Sequence, residues 1–319
     1  MTNNGQTLPA SVSIPMLKVS SHLGLPPIAT YAAFALWNYA PIVEGAPLSM
    51  ENLSSLVTMT GTKDEAWFYL ISVAMEARGG EIVPAVMRAM DAVRADNAAA
   101  INDSLLDFAT SLKDVGELLN RMYEHCDPEV FYHHIRPLLA GTKNMTQAGL
   151  PNGVFYEEGE EKGEWRHHSG GSNAQSSLIQ FFDVFLGVEH GPTGGGGGGN
   201  VYLSQMRDYM PGPHRAFLNH MDKISNVREY VMNSASGADV MDAYNLAVQR
   251  LREFRDIHIQ IVVKYVVIPS RRVPEKQPDG MNLAVASTNE KSKLRGTGGT
   301  VLMPFLKQSR DETQRATVE

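Results

Sequence analysis

Cysteine is almost missing from this chain. Cys126 is the single one among 319 residues, so no intrachain disulfide can form and a cysteine-built zinc site is excluded. A lone thiol fits a reducing cytoplasm. A basic excess is missing too. The 28 Lys and Arg stand against 35 Asp and Glu, giving a formal charge of −7. That leaves no cationic surface for phosphates and argues against nucleic acid as a partner. No apolar run approaches the length of a membrane span, and residues 1–15 lack the regions of a signal peptide. Strand-like alternation is nearly absent, and no repeat of about 20–50 residues appears. The expectation is a soluble, cytoplasmic, all-α protein without membrane partners; the sequence leaves its oligomeric state open.

What is present centres on one long amphipathic stretch. Met241, Tyr244, Val248, Leu251, Phe254, His258, Ile261 and Tyr265 recur at helical spacing and draw one stripe down a helix of about 25 residues. Arg250, Arg252, Glu253, Asp256 and Lys264 occupy the other faces. His258 interrupts the apolar stripe. Taken alone, such a histidine is more often a hydrogen-bonded core residue than a ligand. The rival reading is a neutral imidazole coordinating a metal or haem iron.

In chain order, residues 1–15 are polar and expected to be extended. Helices are expected over 29–39, 49–59 and 66–76. The last is opened by a capping box, Thr62 with Glu65, and stopped by Gly79 and Gly80. Further helices are expected over 82–93 and 98–123, and from Asp127, as N-cap with Pro128 at the first position, to about Leu139. Residues 140–169 read as a polar loop in which the acidic run 157–161 is merely solvated. Helices resume over 174–188, 201–209, 213–221 and 226–232. Before the third-last of these, the glycine-rich stretch 191–199 reads as a flexible tether. It lacks the Gly-Lys-Ser/Thr ending of a phosphate loop. A polar loop over 268–300, a short helix over 302–307 and a charged tail complete the chain.

Several apparent motifs carry little. Gly170-Gly171-Ser172-Asn173-Ala174 superficially matches a nucleophile elbow, but that motif needs a strand before it, and a polar loop carrying Arg166-His167-His168 is expected there. The pairs His133-His134 and His167-His168 place adjacent side chains about 100° apart on a helix, a poor arrangement for one ion. No His-Glu-x-x-His zinc motif occurs.

Four segments taken together are more specific: Phe68-Tyr69-Leu70-Ile71-Ser72, Phe131-Tyr132-His133-His134-Ile135-Arg136, the glycine-serine run from Ser169 to Ser177, and the stretch from Arg255 to Tyr265. Met206-Arg207-Asp208-Tyr209-Met210-Pro211, His214-Arg215-Ala216-Phe217-Leu218 and Gly296-Thr297-Gly298-Gly299-Thr300 extend the pattern. In that order they resemble the indoleamine 2,3-dioxygenases, over most of the chain from Leu25 to Lys307. The resemblance implies a helical haem-binding domain, haem b as cofactor, O2 and L-tryptophan or a related indoleamine as substrates, and N-formylkynurenine as product, in tryptophan catabolism.

Residue by residue, the resemblance makes His258 the proximal haem and metal ligand. It puts Arg255 near a haem propionate, with Asp183 as its carboxylate partner. Phe68, Phe131 and Ser72 match the distal pocket, and Arg136 matches the side chain that holds the substrate carboxylate. Gly171 and Ser172 match groups beside both haem and substrate. Tyr31, Phe34, Ala35 and Asn173 fall on the substrate pocket, and Thr297 on a mobile loop that closes over it. Phe34 and Ala35 stand where better-known members carry smaller and β-branched residues, and Asn173 where an alanine is usual. Residues 1–60 are expected to be a remnant of the family's N-terminal cap domain, and 61–319 the catalytic domain. Two rivals stay open: a non-catalytic haem or O2-binding homologue, and a haem-free helical interaction module.

Overall fold

The computed structural model describes residues 6–143, 145–146, 149–192, 200–233, 237–272 and 294–319. Most of the expected glycine-rich tether (193–199) and of the expected mobile loop (273–293) lies outside the described residues. The elements are β1 (Thr7–Leu8), α1 (Ala10–Leu23), β2 (Tyr39–Pro41), β3 (Leu53–Ser55), α2 (Lys63–Gly80), α3 (Val83–Arg94), α4 (Ala98–Asn120), β4 (Val154–Gly159), β5 (Lys162–Arg166), α5 (Ser177–Phe185), α6 (Val201–Arg207), α7 (Gly212–Ile224), α8 (Val227–Asn233), α9 (Ala238–Val262) and α10 (Leu302–Gln314). The protein is predominantly helical, with two small sheets.

The stripe on α9 organises the core. Tyr244, Val248, Leu251, Phe254 and Ile261 are buried, and α9 packs most extensively along α4. The approach is close enough that a Cβ at Gly116 would lie 3.3 Å from Ile257 Cδ1. Leu251 is fully buried, so truncating it to alanine would cost about 2–5 kcal/mol. Tyr265, just past α9, donates to the Met122 and Cys126 carbonyls at 3.0 and 2.7 Å and ties this helix to the chain end of α4.

Several expectations are corrected. Residues 10–23 form α1, which ends on Gly24 at φ 66°, and only Thr7–Leu8 is extended. Residues 50–55 are a 3-10 turn running into β3, which pairs with β2. Within 140–169 lies an antiparallel hairpin, β4–β5, with β1 added in parallel. The acidic run is part of it: Glu160 and Glu161 make the turn at positive φ, and Glu157 accepts the Ala10 N–H at 3.2 Å. Glutamates give none of the Asn-Gly chemistry that announces such a turn. The charged tail is largely the continuation of α10, with Glu312 and Thr313 buried.

The capping box also differs. Thr62 Oγ1 accepts from the Glu65 N–H at 3.2 Å, but Glu65 reaches back to the N–H groups of Met59 and Thr60, at 2.8 and 2.6 Å. Asp127 caps its helix as expected, accepting from Glu129 and Val130. That helix then loosens into a π turn at Phe131–Ile135 and a 3-10 turn at Arg136–Leu139. Two more π turns occur, at Ala32–Leu36 and Val263–Val267. All three border one cavity, a setting in which such turns recur.

Candidate active site

That cavity, about 180 Å³, adjoins a second of about 110 Å³; His258, Tyr31, Ser72, Asn173 and Phe305 line both. The helix α9 brings His258 to their junction. Its ring keeps partial exposure because it faces the cavities, and neither ring nitrogen has a hydrogen-bond partner among the described residues. Burial, with Arg255 one turn away, pushes its pKa down to about 4, so the imidazole is neutral with a lone pair to offer.

Aromatic rings form the wall facing α9. Phe68 and Phe131 meet edge to face at 5.0 Å, and Phe131 meets Tyr265 at 5.8 Å. Phe34 stacks on Tyr69 at 5.5 Å and presses on the chain at Gly171, where a Cβ would lie 2.0 Å from the ring. Only glycine fits there. Ala35 and Ser72 complete this buried side.

Arg136 introduces charge into this lining. It is 5% exposed, yet no carboxylate among the described residues pairs with it. Its Nη2 donates to the Arg295 carbonyl at 2.5 Å and its guanidinium lies 5.6 Å from the Tyr132 ring. Burial lowers its pKa from the ordinary arginine value, but an arginine stays charged at neutral pH.

Loop residues close the remaining side. Thr297 Oγ1 donates to the Gly171 carbonyl at 2.7 Å, and the Gly170 N–H donates to the Thr297 carbonyl at 3.3 Å. The expected lid residue is therefore docked on the glycine-serine run. Ser172 Oγ accepts from the Ala174 N–H at 3.3 Å. The Asn173 amide lines both cavities without a hydrogen-bond partner among the described residues.

Below His258, Arg255 Nη2 donates to both oxygens of Asp183, each at 2.7 Å, and both residues line the smaller cavity. Burial alone would raise the Asp183 carboxyl, but Arg255 and His190 outweigh it and hold the pKa low.

Sequence reasoning missed several side chains here. Glu76 Oε1 accepts from Tyr31 OH at 2.9 Å and Ser176 Oγ at 2.6 Å. Burial keeps its carboxyl above the usual range despite both hydroxyls. Its signal was available: Glu76 sits four residues after Ser72, on the same helix face. Tyr202, 3.5 Å from Ser172 Oγ, lies in the expected helix 201–209 but outside the resembling segments, and His190 beside Asp183 just precedes the glycine-rich stretch, where no periodicity marks it.

A profile of the family described as indoleamine 2,3-dioxygenase matches residues 1–316. This chain belongs to that family. It is 43% identical over 318 residues to the indoleamine 2,3-dioxygenase nanC of Aspergillus nanangensis, covering 97% of this chain and 75% of the relative. Against the indoleamine 2,3-dioxygenase of Saccharomyces cerevisiae it is 41% identical over 328 residues, covering 96% and 72%. A 6-hydroxytryptophan 2,3-dioxygenase of Fusarium equiseti, fscD, is 37% identical over 308 residues, covering 96% and 74%. As a member of the indoleamine 2,3-dioxygenases, this chain is an oxidoreductase acting on indoles.

Among the described residues no group of three or more His, Cys, Asp or Glu is placed to hold a metal. A single unpartnered imidazole facing an apolar cavity instead suits a haem, whose porphyrin supplies the other nitrogen ligands. No helix among the described residues is long and apolar enough to cross a membrane.

Proposed function

We propose that this indoleamine 2,3-dioxygenase is a haem-dependent enzyme that adds both atoms of O2 across the indole C2–C3 bond of tryptophan, giving N-formylkynurenine. The observation that carries the reading is Arg136: a buried guanidinium with no counter-ion among the described residues, lining the same aromatic cavity as His258, whose ring has no partner among them either. An amino-acid carboxylate satisfies the first and haem iron the second.

His258 would hold haem b through its iron, with Gly171 and Ser172 beside the ring and Arg255, braced by Asp183, toward a propionate. When bound, the haem supplies the oxygen chemistry. The protein binds and orients. Arg136 presents a planar fork that pairs bidentately with a carboxylate. Phe68 and Phe131 keep the indole in a dry site, with Tyr31, Phe34, Ala35 and Asn173 lining its pocket. Ser72 supplies a hydroxyl without having to transfer a proton. Thr297, held on Gly171, would seal the open side over bound substrate. Residues 1–60 then serve as a cap on the catalytic residues 61–319, and the single buried thiol suits a cytoplasmic setting.

Asn173 favours a second reading. The residue is exposed to solvent but lines both cavities, so its amide offers a hydrogen bond to a ring hydroxyl, and one relative is named for 6-hydroxytryptophan. The test is to reduce the purified protein with haem, O2 and either L-tryptophan or 6-hydroxytryptophan. A Soret band and formylated ring-opened product are expected. Haem uptake without product from either substrate would leave a non-catalytic haem protein, and absence of a Soret band would remove the haem reading altogether.

A further inference from the structure

The Arg255–Asp183 pair does not stand alone. His190, in the chain just after α5, sits between two carboxylates: its Nε2 is 3.1 Å from Asp183 Oδ2 and its Nδ1 is 2.7 Å from Glu312 Oε2. Both ring nitrogens face acceptors, and both can donate only when the ring is an imidazolium. Glu312, on α10, is pinned by the Gly191 N–H at 2.9 Å and by Gln308 Nε2 at 2.7 Å. Arg255, on α9, spends Nη2 on Asp183 and Nη1 on Thr313. The His190 and Asp183 side chains are 10% and 8% exposed, Glu312 only 4%, so solvent screens this group little.

The charges decide what this arrangement does. Arg255 and protonated His190 balance Asp183 and Glu312. With His190 neutral, the group carries a net negative charge beside the cavity that Arg255 lines. A haem carboxylate arriving there would meet an arginine already neutralised by Asp183. With His190 protonated, Asp183 is shared between two cations and Arg255 keeps charge to offer.

We propose that His190, acting through Asp183, is the positioning residue that lets Arg255 receive a haem carboxylate, so that the protein holds haem when His190 is protonated and releases it when His190 is neutral. This rests on the haem reading above. Burial and the nearby Arg255 push the His190 pKa down, but Asp183 and then Glu312 outweigh them and the net shift is upward. The sign follows: a raised histidine pKa gives an interaction present at low pH and lost as pH rises through the raised value. The other charged groups about His190 are Glu189 on its own segment and, across a cleft of about 680 Å³, Arg207, Asp222, Arg228 and Glu229. Arg207 and Asp222 form an ion pair with each other.

The test is haem transfer from the loaded enzyme to excess apomyoglobin, followed spectrally between about pH 6 and 9. Wild-type release is expected to quicken about tenfold across that range, the factor carried by one pKa unit of linkage. His190→Gln, which like a neutral imidazole can donate to one carboxylate but never carries the charge, should release haem fast at every pH. Glu312→Gln should move the wild-type rise to lower pH, and it keeps the test available if His190→Gln misfolds. Thermal unfolding of the haem-free His190→Gln protein at high pH should match wild type, whose His190 is neutral there. A flat wild-type profile, or the full rise persisting in His190→Gln, overturns the proposal while leaving the haem reading intact. A wild-type protein that takes up no haem overturns both.

Discussion

Arg136→Ala should separate tryptophan from indoles that lack the carboxylate. In the folded protein the guanidinium is buried, donates to the Arg295 carbonyl, leans on Tyr132 and has no acidic partner among the described residues. Losing a charge-assisted pair to a substrate carboxylate costs about 1.5–3 kcal/mol, a factor of roughly 10 to 150 in binding. The same truncation also loosens the turn 295–300, which would impair every indole alike. Assaying tryptophan beside 3-methylindole isolates the first effect: KM for tryptophan should rise by the full factor and that of the analogue much less. Arg136→Lys should recover part of the loss, because an ammonium is a point charge without the planar fork. Equal losses on both substrates, or no loss on tryptophan, would show that Arg136 serves only the turn.

His258→Ala should abolish stoichiometric haem uptake, read from the Soret band; normal haem content would remove its role as ligand. Because burial depresses the His258 pKa to about 4, stability of the haem-free protein should be full above the ordinary histidine value and fall as pH drops toward 4. The difference in Tm between wild type and His258→Gln should show that fall, and a pH-independent difference would contradict it. Ser72→Ala should keep most of its activity, and a loss above about a hundredfold, the scale of general acid–base catalysis, would assign it a proton. Thr297→Ala, which deletes the bond to Gly171, should weaken tryptophan binding at unchanged haem content, as equilibrium titration would show.

The helical frame was legible because α9 and α4 each bury one face, and a buried face leaves a period in the sequence. The hairpin was not. Of the residues in β4 only Tyr156 is buried, so no alternation marks it, and its turn is built from Gly159 and two glutamates. The buried end of α10 was hidden by its charges, since Glu312 is satisfied by His190 and Gly191, more than a hundred residues earlier. The site was legible in a different way. His258 stood out as one polar interruption of an apolar stripe, but spacing alone could not pair Arg255 with Asp183 or show Arg136 without a counter-ion among the described residues. Those relations are long-range. Motif resemblance could point to the first of them, and only the folded arrangement displays the second.

The three π turns around the cavity make its shape depend on chain length as well as composition. At each, an N–H reaches five residues back: Trp37 to Ala32, Arg136 to Phe131 and Ile268 to Val263. Such a turn holds one residue more than the α-helical turn it replaces. Deleting one residue from 132–135 would let the turn close as an α-helix, with the flanking side chains kept on their faces but the backbone drawn in at the cavity wall. The cavity would change its outline there while every pocket residue, Phe131 and Arg136 included, remained in the sequence. Single-residue insertions and deletions at these three places are therefore a route to new indole substrates that point substitution of the lining cannot imitate.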